Sequence, residues 1–272
     1  MSETDALMEQ YFIVDAHVHL GHGCYGVQKP AKIIDYQRID GLMNWMSRYH
    51  VSMAAVSAIP PMVYRVWKTP YGGNEEVMEA MRRHPDKMIG LWVPNVFEEA
   101  DIVKKRIDEA VEVHGFKGMK LHPWVQAFPA NHPIAYPVFE AAAKHRLPVE
   151  FHSGTAPYTT PLLIADVAMR FPEVPVIMGH MGKHDMYHDA IPAARLSDNV
   201  YLEFSGNVIL AQWEKAVKEL GPHRLLFGTD GGNVAAYFLS VMDLEVSEEV
   251  KRMILGENAL NLFRLKPHMG IP

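Results

Sequence analysis

A single cysteine, Cys24, stands in the 272-residue chain, so no disulfide can form within it. That fits a reducing compartment. Cys24 follows His19 closely and reads as an inert, partly buried thiol, since nothing around it signals a lowered pKa. No run of residues approaches the ~20 apolar positions that a membrane span needs. No basic run exists either, and the net charge is -6, which argues against counterion-release binding to nucleic acid. The first ten residues carry Glu3, Asp5 and Glu9 and no basic residue, the wrong sign for a leader. These absences predict a cytoplasmic protein with a small-molecule partner and no nucleic-acid or membrane partner.

What is present is a rhythm. Short apolar runs alternate with helical stretches, at Phe12–Val18, Ser52–Ile59, Met88–Val93, Phe116–Leu121, Pro148–His152, Pro175–Gly179, Val200–Phe204 and Arg224–Gly228. Near-continuous apolarity suits strands buried on both faces. Helical spacing marks Ile39–His50, Asn74–His84, Glu98–His114, Pro137–Arg146, Leu162–Phe171, Asp189–Leu196, Trp213–Leu220 and Ser247–Phe263, with Asn74 as an N-cap and Gly256 as a break in the last. Eight strand–helix units with right-handed crossovers predict an α/β fold, a (β/α)8 TIM barrel, as one domain over residues 1–272. An open doubly wound sheet would want a glycine fingerprint after its first strand. Gly21-His22-Gly23 lacks its further glycine.

A barrel places its active site at the C-terminal strand ends. There the runs end in Asp15-Ala16-His17-Val18-His19, Lys120-Leu121-His122, Glu150-Phe151-His152, Gly179-His180, Glu203-Phe204-Ser205 and Gly228-Thr229-Asp230. Residues i and i+2 share a strand face, so His17 and His19 point the same way and can reach one cation. Lys120 pairs with His122, and Glu150 with His152, by the same rule. A buried imidazole without a partner costs about 1–3 kcal/mol, and one ion satisfies several. Asp230 adds the negative charge a divalent ion needs. His180 stays open between ligand, acid/base and supporting partner. His50, His84, His114 and His145 end helices and read as structural. His22, His184 and His188 read as solvated or substrate-facing loop residues.

These motifs, with Gly118-Met119-Lys120-Leu121-His122-Pro123, Gly179-His180-Met181-Gly182 and the closing Ile254–Phe263 segment, resemble the amidohydrolase superfamily. The resemblance is to its amidohydrolase-related (amidohydrolase 2) branch of TIM-barrel hydrolases and decarboxylases, and runs from about residue 12 to 264. It implies a divalent metal, typically Zn2+, held by His17, His19, His152 and Asp230, with His180 near the reacting group. In binuclear relatives the strand-4 position holds a carboxylated lysine, so Lys120 leaves a second ion open. Gly231-Gly232-Asn233 departs from the aromatic and proline usual in the branch.

The expected function is hydrolysis of a small ester, lactone or amide by a metal-activated water. Asp230 is the catalytic base, and His180, with Lys120, steadies the oxyanion. The alternative is a non-oxidative decarboxylase or hydratase of an aromatic or unsaturated carboxylic acid on the same metal. A third reading is a metal-binding scaffold without catalysis. Lys120, His122 and Trp124 are the expected substrate contacts, and Trp124, Phe128 and Tyr158 could wall the pocket. A homodimer is the base-rate assembly.

Overall fold

The computed structural model describes residues 2–21, 38–59, 73–207 and 209–265. Cys24 and His22 lie outside them. Eight parallel strands follow one another in chain order: β1 (Ile13–Leu20), β2 (Val51–Ala58), β3 (Met88–Trp92), β4 (Gly118–Leu121), β5 (Val149–His152), β6 (Val176–Gly179), β7 (Val200–Glu203) and β8 (Leu225–Leu226). Each overlaps the apolar run expected for it. The ring closes through backbone bonds from Ala16 N to Phe227 O at 2.9 Å and from Asp230 N to His17 O at 2.9 Å. With helices between the strands, this is the (β/α)8 TIM barrel.

The core has two layers. Ile13, Val18 and Leu20 of β1 join the cluster between strands and helices, whereas Val14 and Ala16 join the barrel interior with Met53, Ala55, Ile89, Leu91, Ile177 and Leu226. The switch of parity within one strand has a cause. The β1–β2 register shifts between Asp15 and Val18, and an extra residue in a strand exchanges its faces. That irregularity turns His17 and His19 into the barrel. Without it they would face the helices.

Several elements depart from expectation, the short helices Glu3–Met8 and Pro123–Gln126 among them. The helix Val234–Met242 has no counterpart in the sequence reading, because VAAYFLSVM carries no polar stripe for a 3.6-residue period to reveal. The helix after β6 starts at Lys183, before the expected Asp189, and kinks at Met186. The last helix does not break at Gly256 but widens into a π turn over Met253–Glu257. A β-carbon on Gly256 would overlap the Phe12 carbonyl, so the glycine lets this segment press against the start of β1. Asn74 sits at the expected cap position, but its side chain makes no cap bond. Its amide instead pairs with the Val93 backbone, at 3.0 Å in both directions.

Candidate metal centre

The inward bend of β1 and the closure of β8 on it bring three ligand atoms together. His17 Nε2 and His19 Nε2 are 3.1 Å apart. Asp230 Oδ1 is 3.3 Å from His19 Nε2 and 4.0 Å from His17 Nε2. Asp230 reaches this point because its backbone takes a left-handed φ of 54° while its N–H is tied to His17 O. Side-chain exposure rises from 1% at His17 through 16% at His19 to 44% at Asp230. The set therefore opens from a closed floor to an accessible mouth.

The floor is made of charge. Lys120 and Glu150 are register partners on β4 and β5, and Lys120 Nζ lies 2.5 Å from Glu150 Oε1 and 2.9 Å from His17 Nε2. His17 Nδ1 meets Glu203 Oε2 at 2.8 Å and Glu150 Oε1 at 3.0 Å. All four residues are buried. Burial alone would lower the pKa of His17, but Glu150 and Glu203 together outweigh it, with Lys120 opposing, and raise it to about 10. The floor draws positive charge onto this ring. Two glycines make room for it: a β-carbon on Gly179 would press on His17 and Glu150, and one on Gly228 would overlap the Glu203 carboxylate.

These residues fit a divalent cation. Two imidazole nitrogens face each other beside a carboxylate oxygen, an arrangement that calls for a proton or an ion between them. Glu150 Oε2 is buried with no hydrogen-bond partner among the described residues, so one carboxylate oxygen of the floor is left unsatisfied. Nitrogen and oxygen donors of this kind suit zinc or a neighbouring transition metal.

His152 stands one ring away. Its Nδ1 is 3.0 Å from His180 Nε2, and its Nε2 is 2.9 Å from Thr155 Oγ1. The tautomers follow from the partners. His180 Nδ1 faces Ser205 O at 3.2 Å and Ser205 Oγ at 2.8 Å. A carbonyl only accepts, so the proton is on Nδ1. Burial holds His180 and His152 well below the usual histidine range, with nearby His17 and His122 adding respectively, so both rings are neutral. His180 Nε2 therefore carries a lone pair, His152 Nδ1 donates to it, and His152 Nε2 is left as an acceptor. The expected metal ligands thus divide into a converged trio and a fourth whose Nε2 accepts from Thr155 Oγ1.

Among the expected substrate contacts, Lys120 is fully buried beneath the trio with its ammonium already paired. His122 stacks on His152 with ring centroids 3.8 Å apart. Trp124 is 46% exposed and stands at the rim, its ring 6.5 Å from His122. Phe128 is buried and belongs to the packing. The helix-ending His145 bonds Asp108 at 2.6 Å, as a structural residue does.

The sequence reading gave no role to Glu203, Ser205, Ser57 or Thr229. Ser57, register partner of His19, meets its Nδ1 at 2.8 Å. Ser205 Oγ donates to Glu203 Oε2 at 2.8 Å, so one strand end ties His17 of β1 to His180 of β6. A glutamate and a serine two residues apart at the end of an apolar run were the available signal.

A model of the amidohydrolase family matches residues 14–265. The comparison with curated proteins finds no match. Among solved structures the chain is similar to 5-carboxyvanillate decarboxylase from Sphingomonas paucimobilis, with 16% identity over 94% of this chain and 100% of that one and a TM-score of 0.75. It is similar to 2,6-dihydroxybenzoate decarboxylase from Rhizobium, with 16% identity, 93% and 99% coverage and a TM-score of 0.70. It is also similar to 5-carboxyvanillate decarboxylase from Novosphingobium aromaticivorans with bound manganese, with 15% identity, 94% and 98% coverage and a TM-score of 0.74. At such identities the structures speak for the fold, whereas the family match spans nearly every described strand and both ends of the site, and on that ground the chain belongs to the amidohydrolase family.

Proposed function

We propose that this chain is a metal-dependent lyase that removes carbon dioxide from an aromatic or unsaturated carboxylic acid. One observation carries the choice over hydrolysis. A hydrolase needs donors aimed at a developing oxyanion, and the two groups expected to supply them are committed elsewhere. Lys120 is buried against Glu150 and His17, and the one N–H of neutral His180 points at Ser205. Decarboxylation needs no such hole. It needs the acid oriented and a proton brought to the carbon that loses its carboxylate.

A divalent ion, Zn2+ by its donor set, would hold the acid's oxygens and draw negative charge from the reacting carbon. His17, His19 and Asp230 would hold it, with His152 as the expected fourth ligand. A second ion finds no carbamate here: a carboxylated Lys120 would set two anions side by side at Glu150. Asp230, at the open mouth beside His19, is the acid that would deliver the proton, and burial, opposed by His17 and Lys120, raises its carboxyl above the usual range. The C–C bond breaks to release carbon dioxide. The proton from Asp230 takes its place on carbon, and solvent returns a proton to Asp230. His180, whose Nε2 accepts from His152 Nδ1, orients His152. The decarboxylase relatives support this reading, and the manganese in one of them keeps metal identity a matter for measurement.

The test pairs two panels with elemental analysis. Metal-loaded protein should release carbon dioxide from aromatic or unsaturated acids and leave lactones, esters and amides intact. His17→Ala and Asp230→Ala should lose the metal and at least about a thousand-fold in rate while keeping the circular dichroism of the barrel. Ring opening of lactones without carbon dioxide release would restore the hydrolase. Wild-type metal content in both variants would remove the ligand assignment.

A further inference from the structure

Two helices of the barrel end in the same way. After Tyr136–His145, Arg146 N bonds Ala143 O at 3.1 Å and Leu147 N bonds Ala142 O at 3.0 Å. After the last helix, Arg264 N bonds Asn261 O at 3.2 Å and Leu265 N bonds Leu260 O at 2.9 Å. Each is the pair of bonds that makes a Schellman cap. The left-handed position of such a cap is usually glycine, because a β-carbon there crowds the backbone. Here arginine takes it twice, with φ of 55° at both Arg146 and Arg264. The helix dipole does not demand Arg146, since Lys144 and His145 already place basic residues in the last turn of its helix.

The two arginines line one cavity of about 550 Å³, together with Glu173, Tyr201, His223 and Asn261 among others. That volume lies within the range of small-molecule sites, about 300–1,000 Å³. Arg146, Glu173 and His223 come just before β5, β6 and β8. The cavity therefore lies at the N-terminal end of the barrel, away from His17, His19 and Asp230. Both arginines are exposed, and neither pairs with a carboxylate among the described residues. Glu173 is the one acidic residue among those lining the cavity, against two guanidiniums. A left-handed arginine costs stability, and residues held in such conformations gather at functional sites. A shared binding role accounts for both departures from glycine at once.

We propose that this cavity is a second ligand site and that it takes a small organic phosphate. A guanidinium meets phosphate through two parallel N–H bonds. A phosphate monoester has three accepting oxygens to share between two such forks, whereas a carboxylate is filled by one. His223 and the Asn261 amide can donate as well, and Tyr201 supplies wall for the organic part. The inference uses neither the metal nor the decarboxylase reading.

Calorimetry of metal-loaded protein at fixed ionic strength tests it, with phenyl phosphate, inorganic phosphate and benzoate as probes. A phosphate could also reach the metal centre, so His17→Ala is titrated beside wild type. Phenyl phosphate should bind His17→Ala as it binds wild type, and about ten-fold more tightly than either other probe binds His17→Ala. Arg146→Gly and Arg264→Gly should each weaken phenyl phosphate at least about ten-fold. Without ligand, both glycine variants should melt at or above the wild-type temperature, because glycine suits the left-handed cap. With phenyl phosphate, wild type should gain Tm and the glycine variants should not. Binding that vanishes in His17→Ala belongs to the metal centre and overturns the proposal. So does binding that survives both glycine variants. A Tm several degrees lower in the unliganded glycine variants makes the arginines structural and overturns it too, and equal affinity for inorganic phosphate overturns the organic ligand. The reaction is read separately, from carbon dioxide release.

Discussion

The floor and the rim of the site are built on opposite rules. On the floor, His17, Lys120, Glu150 and Glu203 are at most 1% exposed and bond mainly to one another. At the rim, His19 and Asp230 open toward solvent, Trp124 is half-exposed, and Lys183 is half-buried in the turn after β6. A buried charge is tolerated only when its partner is in place before any ligand arrives. An exposed one can wait. The floor should therefore govern folding, and the rim should govern which molecule enters.

The hardest blow to this contrast is Lys120→Met. It takes from Glu150 the buried ammonium paired with it at 2.5 Å, and the loss of one member of a buried pair costs about 3–5 kcal/mol. Urea unfolding should show it. The matching rim change, Lys183→Met, should stay within about 0.5 kcal/mol of wild type, as surface substitutions do. Equal losses in the two variants would erase the distinction.

Glu203→Gln sharpens the contrast inside the floor. The amide keeps the shape, but it brings an N–H toward groups that already donate: His17 Nδ1, the His180 N–H and Ser205. Loss of a group that orients a metal-binding histidine costs about 10–100-fold in metal affinity. Chelator competition on the folded variant should find a drop of that size. Wild-type affinity in Glu203→Gln would reduce Glu203 to packing.

Strand-end residues were legible because the barrel's own rule says where to look. His17, His19 and Asp230 could be read as one set from the ends of β1 and β8. The bulge that turns His17 and His19 inward could not, since no residue type in Asp15–Val18 demands it and only pairing with β2 shows the shift. Lys120 was legible as a site residue, but its depth was not. Period-2 alternation gives a face, and only the β4–β5 register sets Lys120 against Glu150. The helix Val234–Met242 was invisible for the opposite reason, as its apolar residues surround the whole helix. The run of four left-handed residues from His180 to Lys183 was equally hidden, since only one of them is glycine.

The smallest effect lies at Asp15, beneath the junction of β1 and β8. Its carboxylate accepts from the His17 N–H and the Thr229 N–H, each at 3.1 Å, and from Thr229 Oγ1 at 2.5 Å. Burial raises its pKa to about 7 against those bonds. Between the unfolded value near 3.8 and that figure, the folded chain keeps a proton that the unfolded chain has lost. Stability from this group is thus full below about pH 4 and falls as pH rises to 7. Asp15→Asn keeps an oxygen for the two backbone donors and turns an N–H to Thr229 Oγ1, which can accept it. The variant mimics the protonated acid at every pH. Its stability relative to wild type should therefore improve from pH 5 to pH 8, because wild type alone must ionise a buried group. Unfolding curves for both proteins at those two pH values give the difference directly, with other titrations cancelling. A difference that does not move with pH would mean that the three hydrogen bonds already stabilise the Asp15 carboxylate as well as water does.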